Sequence, residues 1–176
     1  FAQDVDYYLK GVTTERYDAN GIMRYKLEAK LAKHYRSSDS VELTEPSMQY
    51  RADQTAEGEE TSDFWHIAAE QGWFYEEQPP RLARLELKDQ VVIKRVDSTG
   101  AEINTITDEM WFLPGSGELH SQSPVVIQQG SHRIRAARLS INTKQDRIQL
   151  HGGVKGAYYP AGVKNNGQTS RDRGQG

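Results

Sequence analysis

The feature that most restricts this chain is a strict two-residue alternation of apolar and polar side chains. Met23, Tyr25, Leu27, Ala29 and Leu31 are separated by Arg24, Lys26, Glu28 and Lys30. Leu85, Leu87, Val91 and Ile93 alternate with Glu86, Lys88, Gln90 and Lys94, and Trp65, Ile67 and Ala69 with His66, Ala68 and Glu70. Successive side chains of a strand point to opposite faces, so each run has one face for an apolar interior and one for water. Residues 25–35 also hold Leu27, Leu31 and Tyr35 at i,i+4 spacing, which a helix would use, but charges on alternate positions favour a strand. Gly, Pro, Asn, Asp and Ser break the chain at Asp18–Gly21, Gln78–Pro80, Asp97–Gly100 and Pro114–Gly117. Short strands with regular turns indicate a sandwich, jelly roll or β-solenoid.

A repeat sharpens this reading. Leu43, Leu87, Leu119 and Leu150 each begin a short polar step followed by an apolar strand. The steps, Thr44–Pro46, Lys88–Gln90, His120–Pro124 and His151–Gly153, read as corners or bulges of bent hairpins. Pro46 and Pro124 cannot donate to a ladder and belong at corners or edges. The apolar phase slips between Ile134 and Ile141, which predicts a bulge near Ala136–Ala137. Stacked bent hairpins give two sheets facing each other across a slot. The expected fold is all-β, a twisted open antiparallel β-jelly roll over residues 1–160, with a flexible C-terminal tail over 161–176.

Composition narrows the function. Hydrophobic residues make up 36%, too few for a thick core on both faces of every strand. The net charge of −3 lacks the basic excess of a nucleic-acid binder. Without cysteine there are no disulfides and no thiolate chemistry. No stretch approaches the ~20 apolar residues that span a bilayer. There is no nucleophile elbow, phosphate loop or His-Glu-x-x-His. Gly115-Ser116-Gly117 reads as a turn, and Glu57-Gly58-Glu59-Glu60 as a solvated loop. The repeat places His120 and His151 at equivalent positions, as corner residues rather than metal ligands. The expectation is no enzyme, no cofactor and no metal.

Among the aromatics, Trp65, Trp73, Phe74, Tyr75, Trp111 and Phe112 read mostly as core. A slot that does not close tightly could also hold acyl chains, with Arg24, Lys26, Lys94, Arg95, Arg133, Arg135 and Arg138 as candidates to meet phosphates at its rim. From the residues alone, a structural sandwich stands ahead of a lipid-binding slot, and both remain open.

The order of motifs resembles the LptC family of the Gram-negative lipopolysaccharide transport machinery, from about Tyr7 to Tyr159. The resemblance rests on Thr13-Thr14-Glu15-Arg16-Tyr17-Asp18-Ala19-Asn20-Gly21 followed by Tyr25–Ala29, on Tyr35, Ser38, Asp39 and Leu43-Thr44-Glu45-Pro46, on Trp65–Ala69 with Gly72, and on the Leu-x-Leu…Val-x-Ile units. It implies an interior that binds lipopolysaccharide acyl chains and relays the lipid during outer-membrane biogenesis. Val12 and Leu43 fall where the family contacts ligand, and Trp65, Ile67, Val91, Ile93 and Ile127 are inward positions of the same groove. The N-terminal edge, near Gly21, would dock on the inner-membrane permease/ATPase complex. The C-terminal edge, at Tyr159, would dock on the periplasmic bridge protein LptA. Gly21 corresponds to a functionally sensitive glycine of the family and Gly130 to a second, and both also suit turns with φ > 0. Docking would be by strand addition, and free edges leave the isolated domain open to an edge-to-edge homodimer. Family members are periplasmic and anchored by an N-terminal transmembrane helix, which this sequence, beginning at Phe1, is expected to have lost. Two other readings are the soluble bridging paralogue of the pathway and a non-transporting structural β-sandwich.

Overall fold

The computed structural model describes residues 4–51, 64–96, 100–145 and 147–158. These form fourteen strands in one branched antiparallel network, with no α-helix among the described residues. In chain order they are β1 (Val5–Tyr17), β2 (Met23–Tyr35), β3 (Ser40–Thr44), β4 (Ser47–Arg51), β5 (Phe64–Ala68), β6 (Gln71–Tyr75), β7 (Arg84–Val96), β8 (Glu102–Leu113), β9 (Glu118–Ser121), β10 (Val125–Gln129), β11 (His132–Ala136), β12 (Arg138–Asn142), β13 (Arg147–His151) and β14 (Lys155–Tyr158). The segment 25–35 is therefore strand, and the charge alternation decides it.

Four strands are long, and three of them, β2, β7 and β8, each divide their length between two neighbours. The second half of β2 pairs with β3 and its first half with β4. The first half of β7 pairs with β6 and its second half with β5. The second half of β8 pairs with β9 and its first half with β10. One half-sheet therefore runs from β1 through β2, β3, β6, β7, β8, β9 and β12 to β13, and the other from β1 through β2, β4, β5, β7, β8, β10 and β11 to β14. They pack face to face: Tyr50 of β4 meets Phe112 of β8 edge-on, with ring centroids 4.7 Å apart. This is the expected jelly roll of bent hairpins.

The corners where the chain passes between half-sheets line up as a seam. Glu45 precedes Pro46 with φ +50°, and Asp89 and Gln90 in β7 take φ +64° and +50° where the β7–β8 register shifts. Such values are unfavourable for residues with a Cβ and are held here by neighbouring corners. The Glu45 amide donates to Glu70 O (2.8 Å), and the Glu70 amide to Asp89 O (2.9 Å). The slip near Ala136 is a break rather than a bulge. β11 ends at Ala136 in one half-sheet and β12 starts at Arg138 in the other, while the Ala137 amide donates to His151 O and Gly152 O. A crossing reverses which face is inward just as a bulge would, so the sequence pattern is the same for both.

Candidate functional site

Both half-sheets turn continuous apolar rows inward. Register in the first links Tyr7, His34, Val41, Phe74, Leu85, Phe112, Leu119, Ile141 and Ile148 in a single row from β1 to β13. Beside it run Leu9, Ala32, Leu43, Gly72, Leu87 and Met110. In the second half-sheet the row is Thr14, Leu27, Met48, Ile67, Ile93, Thr105, Ile127, Ile134 and Gly156, from β1 to β14. Leu43, Trp65, Ile67, Val91, Ile93 and Ile127 are all buried in one interior cluster, and Val12 packs against it part-buried. The structure thus brings together the seven inward residues that the sequence singled out.

The middle of this interior is filled, with Leu85, Phe112, Leu119 and Val91 all fully buried in the one cluster. The ends are not. At the β1 edge Tyr7 and Leu9 are 49% and 50% exposed, and at the other edge Ile148 of β13 is exposed too. The apolar rows therefore emerge to solvent at both strand edges. Among the described residues β1 pairs only with β2, β13 only with β12 and β14 only with β11, which leaves these strands at the edges of the described sheet.

Three recesses among the described residues lie along the mouth opposite the seam. Two of them, of about 170 and 530 Å3, adjoin at Arg16, Tyr25, Glu77 and Ala83, and the smaller also reaches Arg24, Tyr50, Leu82, Gly115 and Lys144. The third, about 250 Å3, is lined by Asp39, Tyr75, Arg81, Leu82, Arg84 and Leu113. Lys144 Nζ donates to Gly115 O (3.0 Å) and Arg24 faces Asp18 at 3.9 Å. Burial raises the pKa of Tyr25 above that of free tyrosine, and Arg16 opposes the shift. At the rim of the first half-sheet Thr143 donates both its amide (2.9 Å) and its hydroxyl (2.7 Å) to Gly117 O, extending the β9–β12 pairing.

Other expected features fall elsewhere. Of the basic residues suggested for the rim, Arg24 lines the mouth, whereas Arg133 and Arg135 flank inward Ile134 and point outward. Arg16 and Lys144, which the sequence reading missed, sit at the mouth, Arg16 by its register near the end of β1 and Lys144 in the turn after β12. Trp65 and Phe112 are core as expected; Trp73, Phe74 and Tyr75 are half-buried; Trp111 is 42% exposed on the outer face beside His120. His120 and His151 are not neighbours: His120 pairs with Ser140 on β12, and His151 with Arg138. Gly21 (φ +79°) and Gly130 (φ +55°) both occupy turns with open space around an added Cβ. Tyr159 and the expected tail lie outside the described residues. Among the described residues no group of three or more His, Asp or Glu is placed to hold a metal ion.

The sequence profile of the LptC-related lipopolysaccharide-assembly proteins matches residues 2–159. The chain belongs to the LptC-related family. Among curated proteins no match is found. Membership places the chain in lipopolysaccharide transport, in a family of transport components that is periplasmic and associated with the inner membrane. No helix among the described residues is long and apolar enough to cross a membrane.

Proposed function

We propose that this LptC-related domain binds lipopolysaccharide by its acyl chains between the two half-sheets and relays it from the β1 edge to the β13/β14 edges. The observation that carries this reading is the set of inward apolar rows that cross both half-sheets and emerge at both edges. An amphiphile with acyl chains along such rows leaves its polar part at the mouth, where Arg16, Arg24 and Lys144 stand beside Tyr25 and Leu82. Cations next to apolar walls suit a phosphate-bearing lipid.

The edges suit the partners of such a relay. Backbone groups on β1 would accept a strand of the permease complex, and those on β13 and β14 a strand of the bridge protein LptA, so the inward rows would continue from one protein to the next. The same edges would allow two copies to pair, which sedimentation at high concentration would read as dimer.

The near-complete burial of Leu85, Phe112 and Leu119 favours a second reading, a structural sandwich whose interior stays filled. Photocrosslinkers separate the two. Placed at Leu43 and Ile67, they are expected to capture lipopolysaccharide in cells, and placed at outward Lys26 or Lys94 they are not. Equal capture from both faces, or none from the inner face, refutes the relay.

A further inference from the structure

The N-terminal mouth of the slot holds a titratable cluster that acyl-chain binding does not use. His34 of β2 lies between Tyr7 of β1 and Val41 of β3. Its Nδ1 is 3.0 Å from Asp6 Oδ2, and its Nε2 is 3.1 Å from Asp39 Oδ1. The Tyr7 ring stacks on the imidazole with centroids 5.0 Å apart and planes within 6°. A neutral imidazole has one donor and one acceptor nitrogen, and a carboxylate only accepts. Both contacts are satisfied together only when the ring carries two protons. The imidazolium then joins the edge strand, through Asp6, to the turn after β2, through Asp39.

Every packed element contributes to its surroundings. From that turn, Arg36 Nε donates to Asp6 Oδ1 (2.6 Å) and Ser37 to Asp4, and Gln78 of the β6–β7 loop donates to Asp39. Beside His34 on β2 stand Lys33 and Tyr35, whose hydroxyl donates to Glu42 of β3 (2.6 Å). Phe74 of β6, beyond Val41, is uncharged.

We propose that His34 is a proton-controlled clip, fastening the first half of β1 to the body of the fold and loosening it as the imidazole loses its second proton. The hydrogen bonds that the ring donates to Asp39 and then to Asp6 hold its pKa above its ordinary 6.5, against the effect of partial burial. With a raised folded-state pKa, the contribution is fully present below 6.5 and is lost as pH rises through the higher folded value. Arg36 holds the Asp6 carboxyl below the usual carboxylate range, so that side of the clip stays ionised well into acid. The clip decides whether β1 or the second half of β2 presents the free edge of the first half-sheet. Only this consequence rests on the docking role proposed above, and the clip itself does not.

The test is amide hydrogen exchange on the whole chain by NMR across this pH range, expressed as protection factors to remove intrinsic base catalysis. Residues Tyr7–Lys10 are expected to lose protection as pH passes the His34 midpoint, read from its own ring protons. Val12–Glu15, the other half of the same strand, should not follow. His34→Gln should hold Tyr7–Lys10 at the low-protection plateau at every pH. If that variant does not fold, Asp39→Asn keeps the ring and Asp6 and should lower the midpoint. A His34 midpoint at or below the ordinary 6.5, or protection of Tyr7–Lys10 that ignores pH, overturns the clip. Photocapture at Ile67 reads the relay independently, so either can fail alone.

Discussion

The approach of the two half-sheets at the mouth can be tested at Gly117, which lies beside Tyr50 of β4. Its φ is +72°, and an added Cβ would lie 2.5 Å from Thr143 Oγ1, 2.9 Å from the Tyr50 hydroxyl and 3.3 Å from Lys144 Cγ. Left-handed backbone at a residue with a Cβ costs roughly 1–2 kcal/mol. Crowding in a packed site adds about 1–3 kcal/mol. Thr143 is 4% exposed and its hydroxyl donates to Gly117 O, so displacing it gives up a buried hydrogen bond, about another 1–3 kcal/mol. Gly117→Ala should therefore destabilise by roughly 3–6 kcal/mol, allowing for partial relaxation. Gly21→Ala and Gly130→Ala meet no atom within 4 Å and should show only the backbone cost, roughly 1–2 kcal/mol. Urea unfolding of the three variants, with slopes compared to confirm the same transition, gives the differences directly. If Gly117→Ala falls within about 1 kcal/mol of Gly21→Ala, the half-sheets do not meet at Tyr50 and Gly117 as described.

Three further outcomes follow from the same geometry. Phe112→Ala removes a fully buried ring in contact with Tyr50 across the interior, and should cost about 3–5 kcal/mol in the same assay. Asp18→Ala removes the carboxylate oxygen that accepts from the Asn20 amide (2.8 Å) and the Ile22 amide (3.0 Å), and should cost about 1 kcal/mol because the β1–β2 turn is exposed. Gly21→Asn and Gly130→Asn should recover much of the loss seen with Ala, since Asn tolerates left-handed backbone; if transport fails with Asn although stability is kept, the glycines do more than turn the chain.

How far the sequence disclosed this architecture differs along the chain. The alternation in 23–29, 65–69 and 85–93 assigned inward and outward faces correctly, because each of these stretches lies well inside a half-sheet; at Leu31 it failed, because β2 passes from one half-sheet to the other there and Ala32, paired with Leu43, is buried instead. β1 gave no such signal. As an edge strand it leaves Tyr7, Tyr8 and Leu9 exposed, so burial imposes little pattern on it. The division of β7 between two half-sheets was visible only as a polar step at Lys88–Gln90, since local sequence marks a corner without naming the strands on either side. The His34 cluster was not legible at all: Asp6 is 28 residues away and is brought to the ring by pairing along the whole of β1. The mouth residues Arg16 and Lys144 were missed for the same reason, being neighbours across the slot and not along the chain.

The filled interior and the proposed guest can be reconciled through what holds the half-sheets together. Along the seam they are joined by continuous backbone in β2, β7 and β8 and by hydrogen bonds between corners, such as Glu45 to Glu70 and Glu70 to Asp89. Across the interior, the contacts are between side chains, Tyr50 on Phe112 among them. The ladders themselves run within each half-sheet, so parting the half-sheets about the seam leaves them intact. What parting gives up is apolar burial, at roughly 25 cal/mol per Å2 exposed to water. An acyl chain entering the gap covers that same area and so offsets the cost, whereas a polar guest would not. On the proposed reading, selectivity for acyl chains then comes from which guests can restore the burial, and it needs no standing cavity.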